Sequence, residues 1–462
     1  MRGCKSVELR LHTLALVAST ALVGAGACRH QADLRLQYQE MRPNIVKGDW
    51  TTAAAQLEKS KDTVYGEKDR VMYWLNMGTV LHHAGDFEAS NQNLVKAEEA
   101  IQELWTKSIT AEASKLVVSE TLQSYPGEDY EKILLYYYTA LNQLFLGKPQ
   151  DALVEARRAD EFLKKMLIEY DKEGGVGSLY RQDAFVLWLV GVLYEMEGSY
   201  NDAFLSYRDA YKSYESEYAG QFGIPVPVYL AEDVVRTAAL SGLRDEANEW
   251  QKKTGAAGDS LEHLKNQDAE LIIIHESGEA PFKRELFFDG QMPDGYVMRM
   301  ALPEFVAQQH GIAYAQASAE GVTARSVIAE PVTNIALKNF AHQLPALQAR
   351  AIARAIVKYV ATKGAEAAVS GGSNASSGRK VAGALVGLFG NIAAAASEAA
   401  DLRAWTLLPA DIGVLRMWLP AGQHEVELTY HADSGAQLGR TDRVAVDLRP
   451  GMRKIVSVRT FD

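Results

Sequence analysis

A recurring pattern of glycine, alanine and aromatic residues in the first half of the chain constrains its fold more than any other feature. The pattern occurs in one register in the stretches 73–100, 136–159 and 187–211. Glycine permits a tight turn between two helices, alanine permits their close approach, and aromatic side chains fill the space between successive pairs. The repeat therefore predicts stacked helix pairs, an α-solenoid, which we assign to residues 28–260.

The last of these stretches resembles a tetratricopeptide unit in its spacing. Its matching residues are Gly191, Tyr194, Gly198, Tyr200, Ala203, Tyr207 and Ala210. Weaker copies centre on 47–57 and 240–250, and an insertion at 106–130 interrupts the array. Several copies in one register make a helical repeat domain the strongest fold prediction for this chain.

Such solenoids present the first helix of each pair on a concave face that binds peptides or helices. Carrying the repeat pattern over, five side chains are candidates for the lining of this groove: Leu75, Tyr137, Phe185, Trp188 and Met196. An aromatic-lined groove suits a protein or peptide partner. The same side chains suit packing against the C-terminal half of the chain equally well, so the sequence leaves both interpretations open.

The N-terminus has the pattern of an export signal. A basic start is followed by a short apolar core, Leu14–Val23, and by small residues that end at Cys28. The apolar core is too short to span a membrane. The ending resembles a lipobox, although Ala25 stands where leucine is usual. We therefore predict a signal peptide over 1–27 and a lipid on Cys28, with Arg29 favouring the outer membrane. The alternative is ordinary A-x-A cleavage and a soluble secreted protein.

Composition excludes several other classes of protein. The net charge is −11 with no basic block, which argues against nucleic acid as a partner, because phosphate neutralisation needs a basic face. The two cysteines are Cys4 and Cys28, so the body of the protein has neither disulfides nor thiolate metal ligands. At 462 residues the chain is long enough for two or three domains.

The second half of the chain, residues 261–462, predicts a different kind of domain. Short apolar runs separated by glycine turns predict strands, and these runs are 269–290, 295–301, 311–328 and 419–461. The last run alternates as a half-solvated antiparallel sheet does, so we expect a small β-sandwich. The fold class is therefore α+β and multidomain. A tetratricopeptide-like α-solenoid precedes a β-sandwich-like domain that has a helical hairpin insert at about 331–400.

The predicted insert combines an amphipathic stretch with a stretch that has no charged residue. Residues 335–360 have an amphipathic pattern with Ile352, Ile356 and Val360 on one face, and 381–397 contains no charged residue. A helix of seventeen residues spans about 25 Å, short of the roughly 30 Å hydrocarbon core of a bilayer. We predict a helix buried against 335–360, and we leave open an amphipathic hairpin that lies on or enters the outer membrane, and a spanning helix.

A second resemblance covers nearly the whole mature chain. The stretch ADLRAWTLLP at 400–409, with HESGEAPFKRE at 275–285 and the repeats, is similar to a group of uncharacterised tetratricopeptide-repeat outer-membrane lipoproteins of Gram-negative bacteria. The resemblance implies a lipid anchor, a body that faces the periplasm, and no agreed biochemical activity. The signature residues are Asp401, Arg403, Trp405 and Pro409. We interpret them as structural, with Asp401 and Arg403 in a salt bridge and Trp405 as a core anchor.

The sequence contains no convincing catalytic constellation. Its ten histidines are scattered, and His82 and His83 are adjacent, which turns them to different sides of a helix. The motifs H-E-x-x-H and G-x-S-x-G are absent, and the Gly/Ser stretch 370–378 lacks the spacing of a phosphate loop. We therefore predict no enzyme activity, no metal and no cofactor.

Two classes of function remain. The one we favour is a lipid-anchored scaffold or adaptor that binds a protein or peptide partner through its groove during cell-envelope assembly. The other is an oligomeric outer-membrane export or pore component that uses the 335–400 hairpin, so a homo-oligomer is left open. Both hypotheses place the protein at the outer membrane.

Overall fold

The computed structural model describes residues 30–110, 121, 123–173, 178–370 and 399–461. The predicted signal peptide, Cys28 and the uncharged run 381–397 lie outside these residues, so the expectations for them stay predictions. Within the described part, helices occupy the first half of the chain and small sheets occupy much of the second. This confirms the predicted mixture of helical and strand regions.

The first half consists of helices joined by short turns. Helix α1 occupies residues 30–46. It is followed by α2 (Trp50–Ser60), α3 (Arg70–His83), α4 (Phe87–Thr110), α5 (Asp129–Phe145), α6 (Pro149–Glu173), α7 (Ala184–Met196), α8 (Tyr200–Ser213), α9 (Val228–Leu240), α10 (Arg244–Thr254) and α11 (Asp259–Lys265). π-helical segments extend α2 over Lys61–Tyr65 and α8 over Tyr214–Phe222. The predicted boundary between residues 260 and 261 falls within α11.

Successive helices pack in pairs across glycine turns, as the repeat predicts. The turns after α3, α5, α7 and α9 contain Gly85, Gly147, Gly198 and Gly242, all with positive φ. Residues with a side chain rarely adopt this conformation, so these turns require glycine. Within a pair the helices approach closely, since a Cβ atom on Gly191 would meet the Tyr207 ring at 2.5 Å.

In the described part of the second half, ten strands form three small sheets. The strands are β1 (Ala269–Ser277), β2 (Phe282–Gln291), β3 (Val297–Val306), β4 (Tyr314–Ala319), β5 (Val322–Arg325), β6 (Val327–Glu330), β7 (Asp411–Leu419), β8 (Gly422–His431), β9 (Gln437–Leu448) and β10 (Arg453–Thr460). The sheets have the orders β10-β1-β7-β6, β2-β3 and β5-β4-β8-β9. Strand β1 runs parallel to β10 and antiparallel to β7. Strand β7 is absent from the predicted runs.

Strand β1 connects the two halves of the molecule. All nine of its residues are buried. Ile272 and Ile274 belong to the core that the helices form, whereas Leu271 and Ile273 belong to a second core shared with β4, β7, β8 and β9. Alternate side chains of a strand point to opposite faces, so one strand serves both cores. The two four-stranded sheets share the second core, and their arrangement as a sandwich stays a prediction.

One long helix, α12 (Val332–Ser370), occupies the described part of the predicted insert and packs against β3. Ile352, Ile356 and Val360 are 46, 44 and 36% exposed, so within the described structure this face is not buried. The predicted contact of this face with 381–397 lies outside the described residues. Among the residues that the structure describes, no helix has the length and apolar character that crossing a membrane requires.

Candidate functional site

The predicted groove residues are packed inside the chain. Four of them have no exposed surface and the fifth is partly buried; they are Leu75, Tyr137, Phe185, Trp188 and, as the fifth, Met196. The hydroxyl of Tyr137 donates to Glu276 of β1 at 2.8 Å. The sequence leaves two interpretations open; the structure shows these side chains packed within the chain, and for Tyr137 the contact is with the C-terminal half. These side chains do not line an open groove, and Tyr137 among them contacts the chain's own sheet.

Six buried side chains form a closed ring of ion pairs where the helices meet the sheet. In order around this ion ring they are Arg236, Asp233, Arg416, Glu270, Arg453 and Glu195. Three lie on α7 and α9, and three lie on β1, β7 and β10. Each arginine contacts two carboxylates, so the six charges cancel within the ring. No local sequence pattern signals it, and it is absent from the predicted site residues.

The ion ring keeps Glu195 and Glu270 ionised. Burial alone would raise the pKa of Glu195, but its two arginine partners lower the pKa to about 2. The pKa of Glu270 is lowered in the same way against the effect of burial. The indole N–H of Trp188 donates to Asp233 at 3.2 Å. Because each carboxylate already has two arginine partners, the ring is a structural junction rather than a site for a ligand.

The predicted Asp401–Arg403 salt bridge is present and lies against the N-terminal end of α3. The Arg403 guanidinium binds Asp401 at 2.6 Å and Asp69, which precedes α3, at 2.7 Å. Burial alone would raise the pKa of Asp401, but the Arg403 charge lowers it to about 2. Arg403 also lies over the Tyr125 ring at 5.3 Å. The pair fixes the segment 400–409 on the helices.

Trp405 is the buried centre of the segment 400–409. Its backbone N–H donates to Glu131 of α5 at 2.7 Å, and its indole N–H donates to Thr79 of α3 at 3.1 Å. Pro409 is buried further along the segment. The segment therefore reaches two helix pairs at once and holds them to the strand β7 that follows.

His82 and His83 take part in packing. His82 is buried, which lowers its pKa to about 4, and its Nδ1 lies 2.6 Å from the side-chain oxygen of Asn142. His83 Nε2 lies 3.3 Å from Glu276. Among the described residues, no three metal-ligating side chains come close enough to hold an ion.

A cavity of about 220 Å³ opens between α1 and the loop after β3. It is lined by Arg42, Gly278, Glu279, Phe282, Gln308, Gln309 and His310. His310 Nδ1 lies 3.1 Å from the Ile312 carbonyl, and its Nε2 lies 3.1 Å from Asp411. Both ring nitrogens thus face acceptors of the protein, which leaves none for a general base in the cavity. Three of the lining residues lie in the stretch 275–285, but nothing in that stretch predicts a cavity.

Helix α1 is bound to the C-terminal half along its length. Arg42 donates to Glu279 from two nitrogens at 2.7–3.0 Å, and Tyr38 donates to the same carboxylate. Nearer its N-terminus, Gln31 donates to the Ala400 carbonyl at 2.8 Å. The first described turns of the chain are therefore fixed against the body of the protein.

Comparison with known proteins gives distant structural similarities. No protein-family model and no curated protein matches the chain. The chain is similar to a crystal structure of MamA, with 16% identity, coverage of 46% of this chain and 91% of that chain, and a TM-score of 0.28. It is also similar to the Rap conjugation gene regulator of the plasmid pLS20 in complex with a peptide, with 15% identity, coverage of 49% and 54%, and a TM-score of 0.27. At these values neither similarity bears on function.

Proposed function

We propose that the protein is a lipid-anchored scaffold of the bacterial outer membrane that acts in the periplasm by binding a protein or peptide partner. The observation that carries this proposal is the attachment of α1. The chain is already helical at residue 30, two residues after Cys28, and is bound to the body from Gln31 onward. A lipid on Cys28 would therefore hold the body directly at the membrane, without a long flexible linker.

The burial of the predicted groove residues changes where the partner would bind. Because Tyr137 and Trp188 are buried, the partner would use the outer surface of the helices rather than the predicted groove. The buried charges of the ion ring and the nitrogens of His310 are engaged within the chain, which supports binding rather than catalysis. A fixed body at the membrane surface suits a scaffold that positions another protein.

Labelling with radioactive fatty acid tests the anchor. The wild type should incorporate the label, and Cys28→Ser should not, because an acyl chain needs that thiol. Cys4→Ser is the matched control and should be labelled like the wild type. Equal labelling of Cys28→Ser and the wild type would refute the anchor. Crosslinking in intact envelopes should then recover a protein partner, and recovery of the uncrosslinked chain alone would contradict the scaffold.

A further inference from the structure

The β2–β3 hairpin extends along α1 towards the N-terminal end of that helix. Three successive contacts fix this direction, and they are Arg42 with Glu279, Arg35 over the Phe282 ring, and Gln31 with Ala400, whose N–H donates to Glu285. Strand β2 therefore runs antiparallel to α1, from the middle of that helix towards its N-terminal end. The strand beyond Glu285 therefore continues past the first described residues of α1.

Residues 287–297 form the outer part of the hairpin, which we call its tip, and they reach the level of the proposed lipid. Phe288 lies three residues beyond Glu285, about 10 Å further along the strand. Cys28 precedes His30 by two residues, which span at most about 7 Å of chain. The tip and the acylated residue would therefore meet the same surface on the same side of the molecule.

Large apolar side chains are exposed at the tip. Phe287, Phe288 and Val297 are 54, 45 and 58% exposed. Phe287 and Phe288 are neighbours on one strand, so they point to opposite faces of the hairpin. A flat protein surface would cover one of these faces, whereas the apolar region of a lipid layer would cover both.

The charges near the tip are paired within the chain. Asp289 binds Arg299 across the hairpin at 3.0 Å, and Asp294 binds Lys363 of α12 at 3.0 Å. The hydroxyl of Tyr359, also on α12, donates to Asp294 at 3.1 Å. Pairing reduces the cost of moving charges from water to the polar edge of a bilayer. The tip is thus an apolar surface with neutralised charges around it.

We propose that the tip of the β2–β3 hairpin is a second membrane contact, which enters the headgroup and upper acyl region of a phospholipid bilayer. Ile356 and Val360 on the adjoining part of α12 are 44 and 36% exposed and extend the apolar surface. The inference rests on the proposed function in one respect, since the lipid on Cys28 sets the side of the body that faces the bilayer.

A fluorescence experiment tests the contact without the acyl chain. Residues 28–462 with Cys28→Ser retain every described residue and lack the signal peptide. Phe288→Cys in this chain, labelled with the environment-sensitive dye NBD, should brighten on vesicles of phosphatidylethanolamine and phosphatidylglycerol. Val154→Cys is the control, because Val154 is 55% exposed on α6, which packs on α5 and α7. Its label should not change.

A binding experiment with the same vesicles measures the contribution of the phenylalanines. Phe287→Ser/Phe288→Ser should lower the partition coefficient in co-sedimentation by at least about tenfold, because two half-exposed phenyl rings no longer leave water. Val154→Ser/Ile168→Ser removes side chains that are 55 and 54% exposed and should bind like the unmodified chain.

Equal partition of the two double variants would overturn the inference. So would an unchanged label at position 288, or a dimer that shields this label without vesicles. Because these chains carry no Cys28, the outcome does not depend on acylation. Failure of fatty-acid labelling in the separate experiment would refute the anchor and leave the hairpin contact standing.

Discussion

Removal of one charge from the ion ring tests whether the ring joins the two halves of the protein. Arg453→Met deletes a buried guanidinium and leaves three carboxylates with two arginines. Removing one partner of a buried ion pair costs about 3–5 kcal/mol, because the remaining charge stays buried without compensation. Arg453 serves both Glu195 and Glu270, so we expect a loss of unfolding free energy near the upper end of that range.

A second substitution should recover much of this loss. Glu270→Gln alone leaves an excess positive charge and should also cost about 3–5 kcal/mol. The double variant Glu270→Gln/Arg453→Met is neutral again, so its cost should be close to that of one single variant rather than to their sum. Arg443→Met is the control, because Arg443 pairs with Glu425 on the exposed side of β9 and should contribute about 0–1 kcal/mol.

Urea unfolding followed by circular dichroism at pH 7 gives the free energies of these variants. Arg453→Met within 1 kcal/mol of Arg443→Met, or a double variant whose cost equals the sum of the singles, would refute the coupling. Acid gives an independent check. The folded pKa of Glu195, about 2, lies below its unfolded value of about 4.3, so its contribution is present above that value and is lost as the pH falls towards 2. Arg453→Met should flatten this loss.

Two further predictions use the same urea assay. Burial raises the pKa of Glu330 well above its usual range and that of Asp183 to about 6. The folded protein therefore favours the protonated form of both carboxyl groups, and the stability that this form contributes is present below about pH 4 and is lost as the pH rises. Glu330→Gln should therefore be more stable than the wild type at pH 8 but not at pH 4, and equal stability at both would contradict this. Gly191→Ala should cost about 1–3 kcal/mol because its Cβ atom meets the Tyr207 ring, whereas Gly220→Ala, with nothing within 4 Å, should stay within about 0.5 kcal/mol. Equal stability of both alanine variants would contradict the close approach of α7 and α8.

The helical repeat could be predicted because its determinants are local. The turn glycines Gly85, Gly147 and Gly198 adopt positive φ, which other residues rarely do. Gly191 occupies a place where a Cβ atom does not fit. Because each of these positions requires glycine, the glycines recur in a pattern that can be seen in the sequence. The strands of the C-terminal half show a similar local pattern, although β7, which is buried on both faces, lacks the alternation that reveals a half-exposed strand.

Neither the ion ring nor the burial of the predicted groove residues could be predicted, because both depend on contacts between residues distant in the sequence. Glu195 and Arg453 are far apart in sequence and meet only when the sheet lies on the helices. Charged residues are mostly exposed, so nothing in the sequence marks these two as buried. A large apolar residue such as Trp188 is equally suited to a groove that binds another protein and to packing inside its own chain. The position of Trp188 in the sequence does not distinguish a binding groove from internal packing.

The energy of the helix–sheet junction indicates which surfaces remain for a partner. A peptide that replaced the sheet on the helices would have to displace β1 and break the two ring pairs that cross between the halves, Asp233 with Arg416 and Glu195 with Arg453. Separation of these pairs returns their charges to water, which offsets much of the lost attraction, so the exposure of buried apolar surface is the larger cost. Exposing Ile272 and Ile274 would add about 1.5–3 kcal/mol each. That loss is a large part of the whole binding energy of a micromolar peptide, about 8 kcal/mol, so the accessible outer surface of the helices is the better site for the proposed partner.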